Sequence, residues 1–141
     1  MAVFETDGPQ ATEALGAELA ARLVAGDLVY VTGELGSGKT TLVRGACRAL
    51  GVAGPVTSPT FSIAHRYRSA AGPAVSHLDL YRLVSLHAED PDLLAEYISA
   101  DAITFVEWPP EQATALGVAP RITVSLSHGG GDRRRVEVSG E

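Results

Sequence analysis

Gly33-Glu34-Leu35-Gly36-Ser37-Gly38-Lys39-Thr40 fits G-x-x-x-x-G-K-[ST] at every fixed position. Glycines in such a run let the backbone curl until successive N–H groups point inward at phosphate oxygens. A following helix adds the positive end of its dipole. Lys39, the only lysine among the chain's 11 basic residues, stands where a triphosphate needs a mobile point charge. The Thr40 hydroxyl stands where Mg²⁺ needs an oxygen ligand. Glu34, Leu35, Gly36, Ser37, Gly38, Lys39, Thr40 and Thr41 are therefore the candidate nucleotide-binding residues.

The flanks supply the context that such a loop needs. Upstream, Asp27-Leu28-Val29-Tyr30-Val31-Thr32 is a short apolar run rich in β-formers, which predicts a buried strand over 28–32. Downstream, Leu42, Val43, Ala46 and Leu50 recur at helical spacing, and Gly51 is a natural stop, so a helix is expected over 39–50. A glycine loop between a strand and a helix reads as a nucleotide cradle.

The 141 residues, 45% of them hydrophobic, are enough for one α/β domain over 1–141. No stretch resembles a signal peptide, and Glu13, Glu18, Arg22 and Asp27 interrupt the apolar N-terminal half, so no membrane span or membrane partner is expected. A cytoplasmic location is the default expectation. Cys47, the single cysteine, excludes an internal disulfide and suits a packed position on the helix. A formal net charge of −6 argues against broad adhesion to a polyanion. Arg133-Arg134-Arg135 is the one basic cluster, and it reads chiefly as the solvated start of a terminal strand, with an RNA or partner contact as the lesser alternative.

Along the chain, Gly8-Pro9 opens a helix whose Leu15, Leu19 and Leu23 repeat every four residues until Gly26. Residues 54–60 form a loop with two prolines. Residues 61–68 and 74–81 alternate as an antiparallel hairpin around the turn at 69–73. One or two short helices are expected over 83–99 and a short helix or loop over 109–117, with a strand over 102–107 between them. Residues 121–127 and 134–139 read as a closing hairpin. The expected fold is a P-loop NTPase-like three-layer α/β sandwich, with a largely parallel central sheet and antiparallel edge hairpins.

Hydrolysis needs a carboxylate near Mg²⁺ and a group to orient water. Asp79 and Glu107 each fall near the end of an expected strand, where open α/β sheets hold their ligands. Asp79 is assigned to the Mg²⁺ shell in preference to an ordinary pairing with Arg82. Glu107 is assigned to water orientation or Mg²⁺ contact in preference to a plain strand-end acid, because Trp108 and Pro109 make a shaped corner there. His77 has no cysteine or histidine at ligand spacing and reads as a hydrogen-bonding structural residue. The candidate catalytic set is Lys39, Asp79 and Glu107; the metal set is Thr40, Asp79 and Glu107.

Three further segments join the loop: Thr57-Ser58-Pro59-Thr60-Phe61, His77-Leu78-Asp79-Leu80-Tyr81-Arg82 and Glu107-Trp108. In this order and in so short a chain they resemble the TsaE family, also called YjeE, over about residues 10 to 110. The resemblance implies a P-loop ATPase of tRNA threonylcarbamoyladenosine biosynthesis that uses ATP and Mg²⁺. It implies work alongside TsaB and TsaD, which modify adenosine 37 of tRNA, with tRNA reached indirectly through that complex. By the same likeness, Ser58, Pro59, Thr60 and Phe61 form a switch-like loop, and Trp108 is a neighbouring contact for nucleotide or partner. The chain has no asparagine for an N-K-x-D guanine-reading segment, which favours ATP over GTP. Two rival readings share the loop: a small metabolite or nucleotide kinase, and a non-catalytic nucleotide-dependent switch.

Overall fold

The computed structural model describes residues 1–34, 36–54, 56, 64–70, 72–80, 98–109 and 119–140. The elements run β1 (Ala2–Thr6), α1 (Pro9–Ala20), β2 (Leu28–Gly33), α2 (Lys39–Ala49), β3 (Ala64–Tyr67), β4 (Ala74–Asp79), β5 (Ala102–Glu107), β6 (Ile122–His128) and β7 (Arg134–Gly140). All seven strands join one sheet in the order β1-β7-β6-β2-β5-β4-β3. The central pairings β6–β2, β2–β5 and β5–β4 are parallel. The outer pairings β1–β7, β7–β6 and β4–β3 are antiparallel. The parallel centre and both edge hairpins match the architecture expected from the sequence.

Alternation along the strands divides the core in two. Val29 and Val31 of β2, with Ile103 and Phe105 of β5, pack toward Leu15 and Leu19 of α1 and Leu42, Val43 and Ala46 of α2. Leu28, Tyr30, Leu78 and Val106 point the other way and gather with Ala64, Leu80 and Ile98. Burying a side chain such as Leu42 or Phe105, each about 1% exposed, contributes ~2 kcal/mol. The buried residues of α1 (Thr12, Leu15, Gly16, Leu19, Ala20) and of α2 (Lys39, Leu42, Val43, Gly45, Ala46, Cys47) each gather on one side of their helix.

Gly16 and Gly45 let these two helices touch backbone to backbone. A Cβ at Gly16 would lie 2.1 Å from the Leu42 carbonyl oxygen, and one at Gly45 would lie 2.0 Å from that of Glu13. Glu13 also pairs with Arg44 and Arg48 across the same crossing. This contact sets α1 against the helix that leaves the glycine loop.

Several expectations need correction. The α1 helix stops at Ala20, well before Gly26. Its last turn tightens, with Arg22 N–H donating to the Leu19 carbonyl and Leu23 N–H to that of Ala20. Leu23 stays buried all the same, so the leucine repeat outlasts the helix. β1 carried no expectation, because Ala2 to Glu5 are all exposed and lack a two-residue alternation. β3 ends at Tyr67 and β4 at Asp79, each before the expected ends at 68 and 81. Residues 61–63 and Tyr81, like the helices expected over 83–99 and 109–117, fall wholly or largely outside the described residues. Among the described residues, no helix is long and apolar enough to cross a membrane.

Candidate functional site

The glycine loop joins β2 to α2, beyond the carboxyl ends of the central parallel strands. Gly36 (φ 75°) and Gly38 (φ 102°) take left-handed backbone that side chains resist, and α2 begins directly at Lys39. The loop opens onto a cavity of about 290 Å³. Gly36, Gly38, Lys39, Thr40 and Thr41 line it from the loop side, and Asp79, Glu107 and Trp108 line it from the ends of β4 and β5. The residues singled out on either side of the sequence thus meet around one space. Leu35, Ser58, Pro59, Thr60 and Phe61 lie outside the described residues. Glu34 is exposed, and Ser37 is buried inside the loop.

Lys39 is 5% exposed. Its Nζ donates to the carbonyls of Gly33 and Glu34, each at 2.8 Å, and sits 4.4 Å from the centre of the Trp108 ring. Burial lowers the pKa of its ammonium, and the negative charges of Glu107 and then Asp79 pull against that shift. Trp108 is the only non-glycine residue with positive φ among the described residues, at 55°. That conformation costs about 1 kcal/mol, which the cation–π contact with Lys39 helps to offset.

Thr40 donates its hydroxyl proton to the Glu107 carboxylate, at 3.2 Å from Oε1 and 3.1 Å from Oε2. The threonine oxygen therefore keeps its lone pairs for a cation. His77 Nε2 meets Glu107 Oε2 from behind, and both side chains are essentially buried. The structural, hydrogen-bonding role expected for His77 is what its geometry provides. In the β4–β5 register Asp79 stands opposite Glu107, and Lys39 feels both charges. Two carboxylates side by side with a hydroxyl oxygen form a hard-oxygen donor set of the kind Mg²⁺ takes. Such a chemistry fits the residues present.

The basic cluster is corrected in part. Arg133 pairs with Asp7 and Arg135 with Glu137 on the surface, as a solvated strand start should. Arg134 instead turns onto the loop, donating from Nε to the Ser37 carbonyl at 3.1 Å and from Nη2 to that of Gly36 at 3.2 Å. With Gly8, Pro9, Thr12 and Asp132 it forms the far wall of the cavity. Nothing in an Arg-Arg-Arg run marks its middle member, because the role comes from β7 lying beside β6 and β6 beside β2. Cys47 packs in the core as expected, and burial pushes its thiol up to about 12.

The family model described as threonylcarbamoyl adenosine biosynthesis protein TsaE matches residues 6–136. A Streptomyces coelicolor protein named tRNA threonylcarbamoyladenosine biosynthesis protein TsaE is 43% identical over 130 residues, covering 89% of this chain and 88% of its own. The protein of the same name from Bacillus subtilis is 33% identical over 134 residues, covering 94% of this chain and 82% of its own. A crystal structure of Bacillus subtilis YdiB superimposes with a TM-score of 0.72 at 27% identity, over 96% of this chain and 82% of that one. With the family match running through the glycine loop, both strand-end acids and the closing hairpin, the chain belongs to the TsaE family of tRNA threonylcarbamoyladenosine biosynthesis proteins.

Proposed function

We propose that this chain is the ATP-binding and ATP-hydrolysing component of tRNA N6-threonylcarbamoyladenosine biosynthesis, acting with TsaB and TsaD to sustain turnover of their transfer reaction. The observation that carries this reading is the convergence of Lys39, Thr40, Asp79 and Glu107 on one cavity at the mouth of the glycine loop.

In this reading the loop amides and the α2 N-terminus hold the phosphates. Lys39 exchanges the carbonyls of Gly33 and Glu34 for β- and γ-phosphate oxygens. Thr40, Asp79 and Glu107 hold Mg²⁺, which when bound neutralises charge on the polyphosphate. Glu107, fixed by Thr40, orients the attacking water. The far wall around Thr12, Asp132 and Arg134 accommodates the nucleoside end. Trp108 keeps one side of the polyphosphate site closed to bulk water. No arginine of the chain is assigned as an internal finger on the γ-phosphate, so turnover is slow alone and a partner completes the site or hastens product release.

ATP turnover, measured with and without the TsaB–TsaD pair and tRNA, tests the reading. Stimulation by that pair and by no unrelated protein pair supports it. Phosphate transfer to a nucleoside, nucleotide or sugar in place of phosphate release would make the chain a kinase. Nucleotide binding without turnover under every condition would make it a switch.

A further inference from the structure

The hydrolytic reading gives Glu107 a task, and that task depends on where its carboxylate points. Its Thr40 contact comes from α2. The other contact comes from inside the sheet. His77 pairs in register with Phe105 on the neighbouring parallel strand, two residues before the Asp79–Glu107 pair. Side chains two apart on a strand share a face, so His77, Asp79, Phe105 and Glu107 all project toward the helices. His77 then reaches Glu107 along the diagonal of the β4–β5 ladder.

His77 is fully buried, with 0% of its surface exposed, and among the described residues its one side-chain polar contact runs from Nε2 to Glu107 Oε2. Its Nδ1 is buried with no hydrogen-bond partner among the described residues. An imidazole placed here only to fill space leaves a polar atom unsatisfied where Leu or Phe would leave none. A carboxylate only accepts, so Nε2 bears the proton in this contact.

We propose that His77 is a positioning residue for Glu107. Its Nε2–H anchors one carboxylate oxygen from within the sheet, and Thr40 constrains the carboxylate from the helix, so that Glu107 presents a fixed edge to the cavity. The inference rests on Glu107 serving ATP hydrolysis. It assigns to His77 a part that neither a core residue nor a metal ligand would play.

Two amide substitutions separate this from a packing role. Gln places its side-chain N–H₂ at about the reach of imidazole Nε2, whereas Asn stops near the position of Nδ1 and falls short of Glu107. The expected result is that H77N lowers kcat for ATP by about tenfold or more, the usual scale for losing an orienting hydrogen bond behind a metal-site ligand. Its affinity for Mg²⁺-free ATP is unchanged, and H77Q recovers most of the lost turnover. Equal loss in both variants, or wild-type turnover in H77N while E107A is inactive, overturns the proposal. Wild-type turnover in E107A would instead remove Glu107 from hydrolysis and leave the His77 bond to be judged separately. Nitrogen-15 NMR of the unmodified protein judges it, and does so even where a variant fails to fold. A protonated Nε2 supports the proposal, and a bare Nε2 with the proton on Nδ1 overturns it.

Discussion

Asp79 and Glu107 stand directly opposite one another on the parallel strands β4 and β5, both at the mouth of the glycine loop. Like charges in that relation repel by a fraction of a kcal/mol up to about 1 kcal/mol. The fold accepts the repulsion where Lys39 feels both charges and the Thr40 hydroxyl donates to Glu107. Such a pair is a poor structural contact, and the proposed function makes it a cation seat.

The charge of this pair predicts opposite effects on two ligands. Asp79→Asn removes one negative charge from the seat, so Mg²⁺-dependent ATP binding weakens by about tenfold, or roughly 1.4 kcal/mol. The same change removes a charge that repels polyphosphate, so ATP binding in excess EDTA stays equal or tightens. Calorimetric titration in Mg²⁺ and in EDTA checks both signs. Weakening by the same factor in both buffers would mean that Asp79 acts on the protein and not on a metal.

Lys39 predicts a pH dependence. Burial lowers its pKa, while Glu107 and Asp79 raise it back in part. Because the folded pKa lies below the unfolded one, the buried ammonium disfavours folding at pH values below its folded pKa, and the penalty fades as pH rises through it. ATP affinity follows the charge in the other direction and falls as the ammonium loses its proton. Glu107→Gln removes the larger of the two supports, so its alkaline loss of ATP affinity begins at lower pH than in the wild type. Fluorescence of Trp108, the only tryptophan, follows the titration because its ring lies against Lys39. Lys39→Ala is expected to weaken triphosphate binding far more than nucleoside binding, whatever the pH.

The helix crossing predicts a stability effect remote from the nucleotide. Gly16→Ala and Gly45→Ala each drive a methyl carbon into a backbone carbonyl, at 2.1 Å and 2.0 Å in the unrelaxed chain. Overpacking of this kind costs about 1–3 kcal/mol, and more where backbone must move. Thermal unfolding should show a clear loss in both variants. Wild-type melting in either would mean that α1 and α2 separate without cost.

How much of this was legible in the sequence depended on the range of the contacts involved. The loop was legible because Gly36, Gly38, Lys39 and Thr40 act through local backbone, and the strand and helix on either side announce themselves by periodicity. Asp79 and Glu107 were legible as neighbours because acids that end parallel strands fall on the same edge of the sheet, here around one cavity. Arg134 was not, since only the placement of β7 beside β6 carries it to the carbonyls of Gly36 and Ser37. β1 was hidden for a similar reason: an exposed edge strand is stabilised by its partner, here through Phe4 opposite Val136, and leaves little pattern of its own. The end of α1 was obscured because Leu23 continues the buried stripe after the helix has tightened into a turn.

A crystal structure with Mn²⁺ and a non-hydrolysable ATP analogue addresses the central claim most directly. The expected result is an anomalous metal peak beside the Thr40 hydroxyl and the acids Asp79 and Glu107, with the Lys39 ammonium moved from the carbonyls of Gly33 and Glu34 onto the β- and γ-phosphates. Nucleotide bound elsewhere, or metal absent from those oxygens while nucleotide is present, would contradict it.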